Sequence, residues 1–211
     1  MEKKYIALTF DDGPTIGITD DVLDILEKNN AKASFFLIGN QINEETKYLI
    51  ERAYKMGCSI ENHSYTHPSM PSLTDEEILN EISVTTEKII SVTNDRPVFF
   101  RPPYIDFNQK MFDLIDLYFI RGYGCFDWDM SVSKEERVSK ILEDTKAGNI
   151  ILLHDMENNV NTVEALKEII PILKSEGYEF VNIRELFDLY HVEPERNRLY
   201  SHVNEYRIAE D

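Results

Sequence analysis

Strand-like and helix-like patterns alternate along this chain almost from end to end, and that alternation restricts the fold more than any other feature. An apolar run, Tyr5-Ile6-Ala7-Leu8, reads as a short buried strand. Ile18, Val22, Ile25 and Leu26 then follow the spacing of one helix face. Ala33 to Leu37 reads as a second strand. A helix is expected over about Glu44 to Lys55, stopped by Gly57, with a third strand at Cys58-Ser59-Ile60. Thr74 with Glu77 three residues later is a capping box opening a long helix, whose core stripe is Ile78, Ile82 and Ile89. Val98-Phe99-Phe100 is the fourth strand. A helix around Met111 to Leu117, a strand near Gly124 to Trp128 and a helix over Lys134 to Lys146 follow. Ile150-Ile151-Leu152-Leu153 is the sixth strand. The last long helix carries Val163, Leu166, Ile170 and Leu173, and Pro171 inside it is expected to kink it. Tyr178 to Ile183 supplies a final strand and a short helix, for about seven strand–helix repeats.

Such alternation implies parallel strands joined by helices, either an open doubly wound sheet or a closed barrel. Residues with chemical capacity fall at the C-terminal ends of at least five strands. That distribution fits the loop-built face of a TIM-like barrel better than a single switch point. One catalytic domain is expected over residues 1–190. Residues 191–211 turn polar and aperiodic from His191 and read as a tail that packs outside or is partly disordered.

The net charge of −17, from 39 acidic against 22 basic side chains, argues against nucleic acid or an anionic membrane as a partner. No apolar stretch approaches the ~20 residues of a membrane span. The N-terminal Met-Glu-Lys-Lys runs directly into the first strand, leaving no room for a signal peptide. A cytoplasmic location is the default expectation, extracellular or cell wall if an export signal has been removed. Cys58 and Cys125 sit in apolar contexts far apart and read as two buried thiols.

Thr9-Phe10-Asp11-Asp12-Gly13-Pro14 ends the first strand with two adjacent carboxylates. Gly13 and Pro14 stop the strand, so that both acids can converge on one site; the alternative is an exposed turn bonding its own backbone. His63-Ser64-Tyr65-Thr66-His67 follows the third strand, and two His four apart can face one ion from a single helical turn. Two surface histidines are the alternative. Two His and one carboxylate are a standard set for an open catalytic metal site. Arg101-Pro102-Pro103-Tyr104 ends the fourth strand, where an Arg needs a carboxylate partner; a rigid loop with a surface Arg is the other reading. His154, after Leu152-Leu153, is either a core or rim histidine or, opposite a metal, a proton donor.

Taken together these four stretches resemble four of the five motifs of the polysaccharide deacetylase family, carbohydrate esterase family four, in order and spacing over roughly residues 4 to 187. The resemblance implies a distorted (β/α)7 barrel and metal-dependent removal of N-acetyl, sometimes O-acetyl, groups from sugars. It implies that Asp12, His63 and His67 bind a divalent ion, zinc first, with cobalt, nickel or manganese as alternatives. Asp11 would be the general base held by Arg101, and the backbone N–H of Tyr104 would help bind the oxyanion. His154 would be the general acid, and Leu152 would line the acetyl pocket. The fifth motif is irregular: in Phe126-Asp127-Trp128-Asp129, either Asp127-Trp128 is the family's Asp-Trp pair or Trp128-Asp129 lies upstream of a deleted pair. Asp127, Trp128 and Asp129 are therefore all candidates at the substrate. Trp128 is expected to wall the acyl pocket, with core packing as the alternative.

The implied substrate is an N-acetylglucosamine-containing glycan of the peptidoglycan or chitin type. An amidase on a small carbon–nitrogen compound is a second reading. A non-haem iron oxygenase would use the same two His and one carboxylate, but its more usual β-sandwich is disfavoured by the alternation. A metal-binding glycan-recognition protein without turnover is a non-catalytic rival.

Overall fold

The computed structural model describes residues 3 to 209. Seven strand–helix repeats build it: β1 (Lys4–Asp11) and α1 (Ile18–Lys28), β2 (Ala33–Leu37) and α2 (Lys47–Lys55), β3 (Ser59–Asn62) and α3 (Asp75–Thr93), and β4 (Phe99–Phe100) and α4 (Gln109–Leu114). The fifth repeat splits its strand into β5 (Tyr118–Ile120) and β6 (Tyr123–Gly124) before α5 (Lys134–Asp144). β7 (Ile150–His154) with α6 (Val160–Ser175), and β8 (Tyr178–Phe180) with α7 (Ile183–Leu189), complete the set. The chain ends in a hairpin, β9 (Leu199–His202) and β10 (Glu205–Arg207).

The strands run β10-β9-β5-β4-β3-β2-β1-β7-β6 across one curled sheet, with β8 paired to the first half of β1. This is a single α/β domain and a distorted barrel. β1 shows how the sequence selects its faces. Ile6, Leu8 and Phe10 join one apolar cluster with Val22 and Leu26 of α1 and Leu166 and Ile170 of α6. Ala7 belongs to a second cluster with Ile183 and Phe187 of α7 and Tyr200 of β9. Period-two alternation then places Thr9 and Asp11 on the same face as Ala7. Both faces are covered, which is why the run from Ile6 to Asp11 is buried throughout instead of alternating with polar residues.

Two expectations are corrected. The fifth strand is Tyr118–Ile120 with the fragment Tyr123–Gly124, and residues 125–130 form turns in place of the strand expected over Gly124 to Trp128. The polar stretch after His191 is not a loose tail: β9 pairs with β5, and His202 bridges to Asn149 just before β7. Leu199, Tyr200 and Val203 are buried there, because they fill the gap left where the chain crosses from β5 to β6. At that crossing, the Tyr200 carbonyl accepts from the N–H groups of Arg121 (2.7 Å) and Gly122 (3.3 Å). Gly122 has φ of 87°, and a Cβ would lie 2.9 Å from the Ile150 carbonyl oxygen, so a side chain is excluded on both counts. Cys58 and Cys125 are buried free thiols. Among the described residues no helix is long and apolar enough to cross a membrane.

Candidate active site

The C-terminal ends of β1, β3, β4 and β7 meet at a pocket of about 440 Å³, whose lining includes Asp11, Asp12, His63, His67, Tyr104 and His154. Asp11 ends β1 on its inner face. Asp12 takes a left-handed φ of 70°, which turns the chain so that the second carboxylate joins the first. A side chain at Gly13 would fall on the carboxylate of Asp155, so the turn packs as closely as glycine permits.

Asp12, His63 and His67 offer one ligand atom each, all within 4.8 Å of one another. His63 Nε2 and His67 Nε2 each stand 3.4 Å from Asp12 Oδ1. That oxygen is buried without a hydrogen-bond partner, which is costly unless a cation completes it. The other ring nitrogen of His63, Nδ1, lies 2.7 Å from the Arg101 carbonyl. Donation to that carbonyl fixes the tautomer and leaves the Nε2 lone pair for an ion. The donor set thus fits a divalent transition metal. Burial works against ionising Asp12, but the imidazoles of His63, His154 and His67 outweigh it and hold its pKa down at about 2. Burial, reinforced by the neighbouring His63, keeps the His67 pKa below the ordinary value.

The two histidines do not share a helical turn, contrary to the expectation from their spacing. Residues 63–69 form an irregular loop, with Ser64 (φ 65°) and His67 (φ 59°) left-handed. Glu81 of α3 shapes it. Its carboxylate accepts from the N–H groups of Tyr65 and Thr66, both at 2.7 Å, and from the Thr66 hydroxyl at 2.8 Å.

On one side of the cluster, Arg101 pairs with Asp11 through Nη1, and its Nη2 donates to Thr9 Oγ1 at 2.8 Å. The guanidinium also lies over the Phe36 ring, 4.2 Å from its centroid. Burial lowers the Arg101 pKa while Asp11 opposes that. Tyr104 sits at φ 58° with its ring against His67 (centroids 4.6 Å apart), and Ile105 follows at φ 56°. A β-branched residue in that region is strained, and such strain collects at functional sites.

On the other side stands His154. Its Nδ1 bonds Asp127 Oδ1 at 2.8 Å, and its backbone N–H donates to Asp127 Oδ2, also at 2.8 Å. Burial alone would lower the pKa of His154; the hydrogen bond and charge of Asp127 overcome it and push the imidazole up to about 9. Asp127 is thus the carboxylate that meets the histidine. Asp129 lies outside the pocket, its carboxylate bonded to the N–H and hydroxyl of Ser131. Trp128 lines the pocket with Leu152 and is 58% exposed, so it is wall and not core.

Several supporting residues went unread in the sequence. Asp127 Oδ2 also accepts from Thr162 Oγ1 (2.9 Å) and Asn159 Nδ2 (3.3 Å). Both are held in turn by Nη1 of the fully buried Arg137. Asp155 is buried against Thr19, and burial raises its carboxyl pKa to about 7. Of these, Glu81 and Arg137 lie in amphipathic helices, where charges pass for solvated. Only the tertiary contact separates them from surface residues.

A polysaccharide deacetylase model matches residues 1–119. The chain is 47% identical over 194 residues to a bifunctional xylanase/deacetylase of Pseudobutyrivibrio xylanivorans, covering 92% of this chain and 32% of that protein. It is 35% identical over 185 residues to a peptidoglycan-N-acetylglucosamine deacetylase of Listeria monocytogenes, covering 87% and 39%. These matches thus take in well under half of either relative. A peptidoglycan-N-acetylglucosamine deacetylase of Bacillus cereus is 34% identical over 198 residues, covering 90% of this chain and 91% of that one. Among solved structures, the Xyl-CE4 domain of a multidomain xylanase from the Trinervitermes trinervoides hindgut metagenome superposes with a TM-score of 0.94 at 44% identity, over 96% of this chain and 99% of the other. A family 4 acetyl xylan esterase from Clostridium thermocellum, in complex with a cobalt ion, gives 0.92 at 39% identity over 96% and 100%. Sequence match, fold and the residues gathered round the pocket agree, and the chain belongs to the polysaccharide deacetylase family.

Proposed function

We propose that this chain is a metal-dependent hydrolase that removes acetyl groups from a glycan. One observation carries the reading: a carboxylate held by a buried Arg and an imidazole held by a buried Asp flank the same three-ligand cluster in one pocket. Asp12, His63 and His67 hold a divalent ion, zinc first. When bound, such an ion polarises the acetyl carbonyl and lowers the pKa of water. Asp11, kept in place by Arg101, takes the proton of the attacking water. The Tyr104 N–H donates to the acetyl oxygen as charge develops on it. His154, protonated through Asp127, delivers a proton to the departing sugar atom. Trp128 and Leu152 enclose the acetyl methyl.

Acetylated xylan stands first among substrates, supported by the relatives named for xylan. N-Acetylglucosamine glycans stand second, favoured by the Bacillus cereus relative, which is matched along nearly its whole length. The test is acetate release by metal-loaded protein from acetylated xylo-oligosaccharides and from N-acetylglucosamine oligomers. Chelator-sensitive release from either is expected. Stoichiometric metal with no acetate from both would overturn the reading and leave a glycan-recognition protein.

A further inference from the structure

A second cavity, of about 330 Å³, adjoins the catalytic pocket and shares Ile105, Trp128, Leu152 and His154 with it. Its remaining charged lining pairs off almost completely. Asp127 is taken by His154, and Lys140 is bound to Asp144 at 2.9 Å. Arg121 is left. Its side chain has no carboxylate partner among the described residues. A like charge acts on it, that of Arg207 of β10, itself without an ion pair among the described residues; that repulsion adds to partial burial in lowering the Arg121 pKa. In a chain of net charge −17 this is an unusual place for uncompensated positive charge. Half-buried guanidinium without a counterion is costly, and an incoming anion relieves the cost.

The same cavity carries exposed aromatic faces, Phe126 at 61% and Trp128 at 58%, suited to stack on sugar rings. Phe126 holds a left-handed φ of 57°, a conformation uncommon for a bulky residue. The other flank of the catalytic pocket differs in character. It opens by way of Asp12 and His67 onto Asn40, Gln41 and Asn43, amides matched to neutral hydroxyls.

We propose that Arg121 marks a subsite for a sugar carboxylate, carried on the residue next to the acetylated one, with Phe126 and Trp128 as its stacking surface. The inference rests on the glycan deacetylase reading and adds a charge requirement to it. A planar guanidinium suits a carboxylate bidentately. Two glycans could supply that group: xylan bearing glucuronosyl branches, and wall glycan bearing muramic acid whose lactyl carboxyl is free of peptide.

Acetylated xylo-oligosaccharides of matched length, with and without a glucuronosyl branch, would be compared by acetate release, and muramic-acid-containing oligomers against N-acetylglucosamine oligomers. In the pair that supplies the natural group, kcat/KM should favour the acidic member by about tenfold at low salt. Salt should reduce that ratio, Arg121→Gln should bring it near one, and Arg121→Lys should restore part of it. A ratio unmoved by Arg121→Gln, or near one for wild type in both pairs, would overturn the subsite. Calorimetric binding of the non-acetylated oligomers runs in parallel and needs no turnover. If acetate release fails everywhere yet acidic oligomers still bind more tightly through Arg121, the deacetylase reading falls and the subsite stands. Equal binding of acidic and neutral oligomers there would remove the subsite as well.

Discussion

Replacing Asp127 with Asn separates the charge that tunes His154 from the shape that holds it. The side-chain amide would occupy the same volume between Asn159 and Thr162 and keep its oxygen for the His154 ring N–H. What is lost is the negative charge 2.8 Å from His154 Nδ1, together with the acceptor that Oδ2 offers the His154 backbone N–H, a loss the melting temperature registers. In the wild type, burial disfavours the imidazolium and Asp127 overrides it, carrying the pKa from an ordinary 6.5 to about 9. That lift corresponds to about 3 kcal/mol in favour of the protonated ring. A group with a raised pKa keeps its proton over a wider range and loses it only as pH rises through the raised value, so the acid function fails on the alkaline side. Without the Asp127 charge, burial is opposed only by the charges of Asp11 and Asp12, and the pKa falls back towards the ordinary 6.5. At pH 8 the protonated fraction then drops from about nine-tenths to about three hundredths, a loss of roughly 30-fold, whereas near pH 5.5 the two proteins differ little from this cause. The assay is kcat/KM for acetate release from pH 5 to 10, with metal content and melting temperature as controls. An alkaline limb that stays near pH 9 in Asp127→Asn, with activity reduced evenly at every pH, would refute the reasoning and take His154 out of the titrating role.

Three further outcomes follow from the site. Asp12→Asn and His63→Ala should each lose bound metal by elemental analysis, while Asp11→Asn keeps metal and loses on the order of 10²–10⁴ in turnover; metal-free Asp11→Asn beside a metal-bound, active Asp12→Asn would exchange their roles. Glu81→Gln should weaken metal affinity by about tenfold or more without touching a ligand, because it loosens the Tyr65-Thr66 backbone between the two histidines; unchanged affinity in a competition titration would make Glu81 purely structural. Trp128→Ala should shift stability by no more than ~1 kcal/mol, since the indole is more than half exposed, while admitting acyl groups larger than acetyl; a large loss of stability with unchanged acyl preference would return it to the core.

How far the sequence could be read depended on whether a residue's signal was local. Asp11, Arg101 and His154 each close an apolar run, and Asp12 and His63 follow strand ends within a few residues, so the strand pattern placed all five on one face of a barrel. Tyr118–Ile120 was hidden because Leu117 continues the apolar pattern of the preceding helix with no turn residue between them. The 125–130 segment has strand-like composition, yet Phe126 must turn left-handed there to bring Asp127 beneath His154. Leu199, Tyr200 and Val203 are three apolar residues in polar surroundings, and they become strand and core only because β5 leaves its edge open. Arg137 and Glu81 carry no local mark at all. Their roles come from partners 22 to 25 residues away for Arg137 and 15 to 16 for Glu81.

The ladder between β1 and β7 sets Asp11 directly opposite His154, and the N–H of Asp155 continues it by donating to the Asp11 carbonyl at 3.1 Å. The proposed proton acceptor and proton donor therefore face each other across one rung of the ladder, at the ~4.8 Å spacing of paired strands. Their separation cannot widen unless the ladder opens, and opening it exposes the Ile6–Phe10 core. Amide protons of Thr9, Leu153 and Asp155 should accordingly exchange with solvent only on global unfolding, at the slow limit for the protein. Catalytic spacing and fold stability then share one set of hydrogen bonds. A destabilised variant would populate more unfolded chain, but its folded fraction would keep the same reach between acid and base.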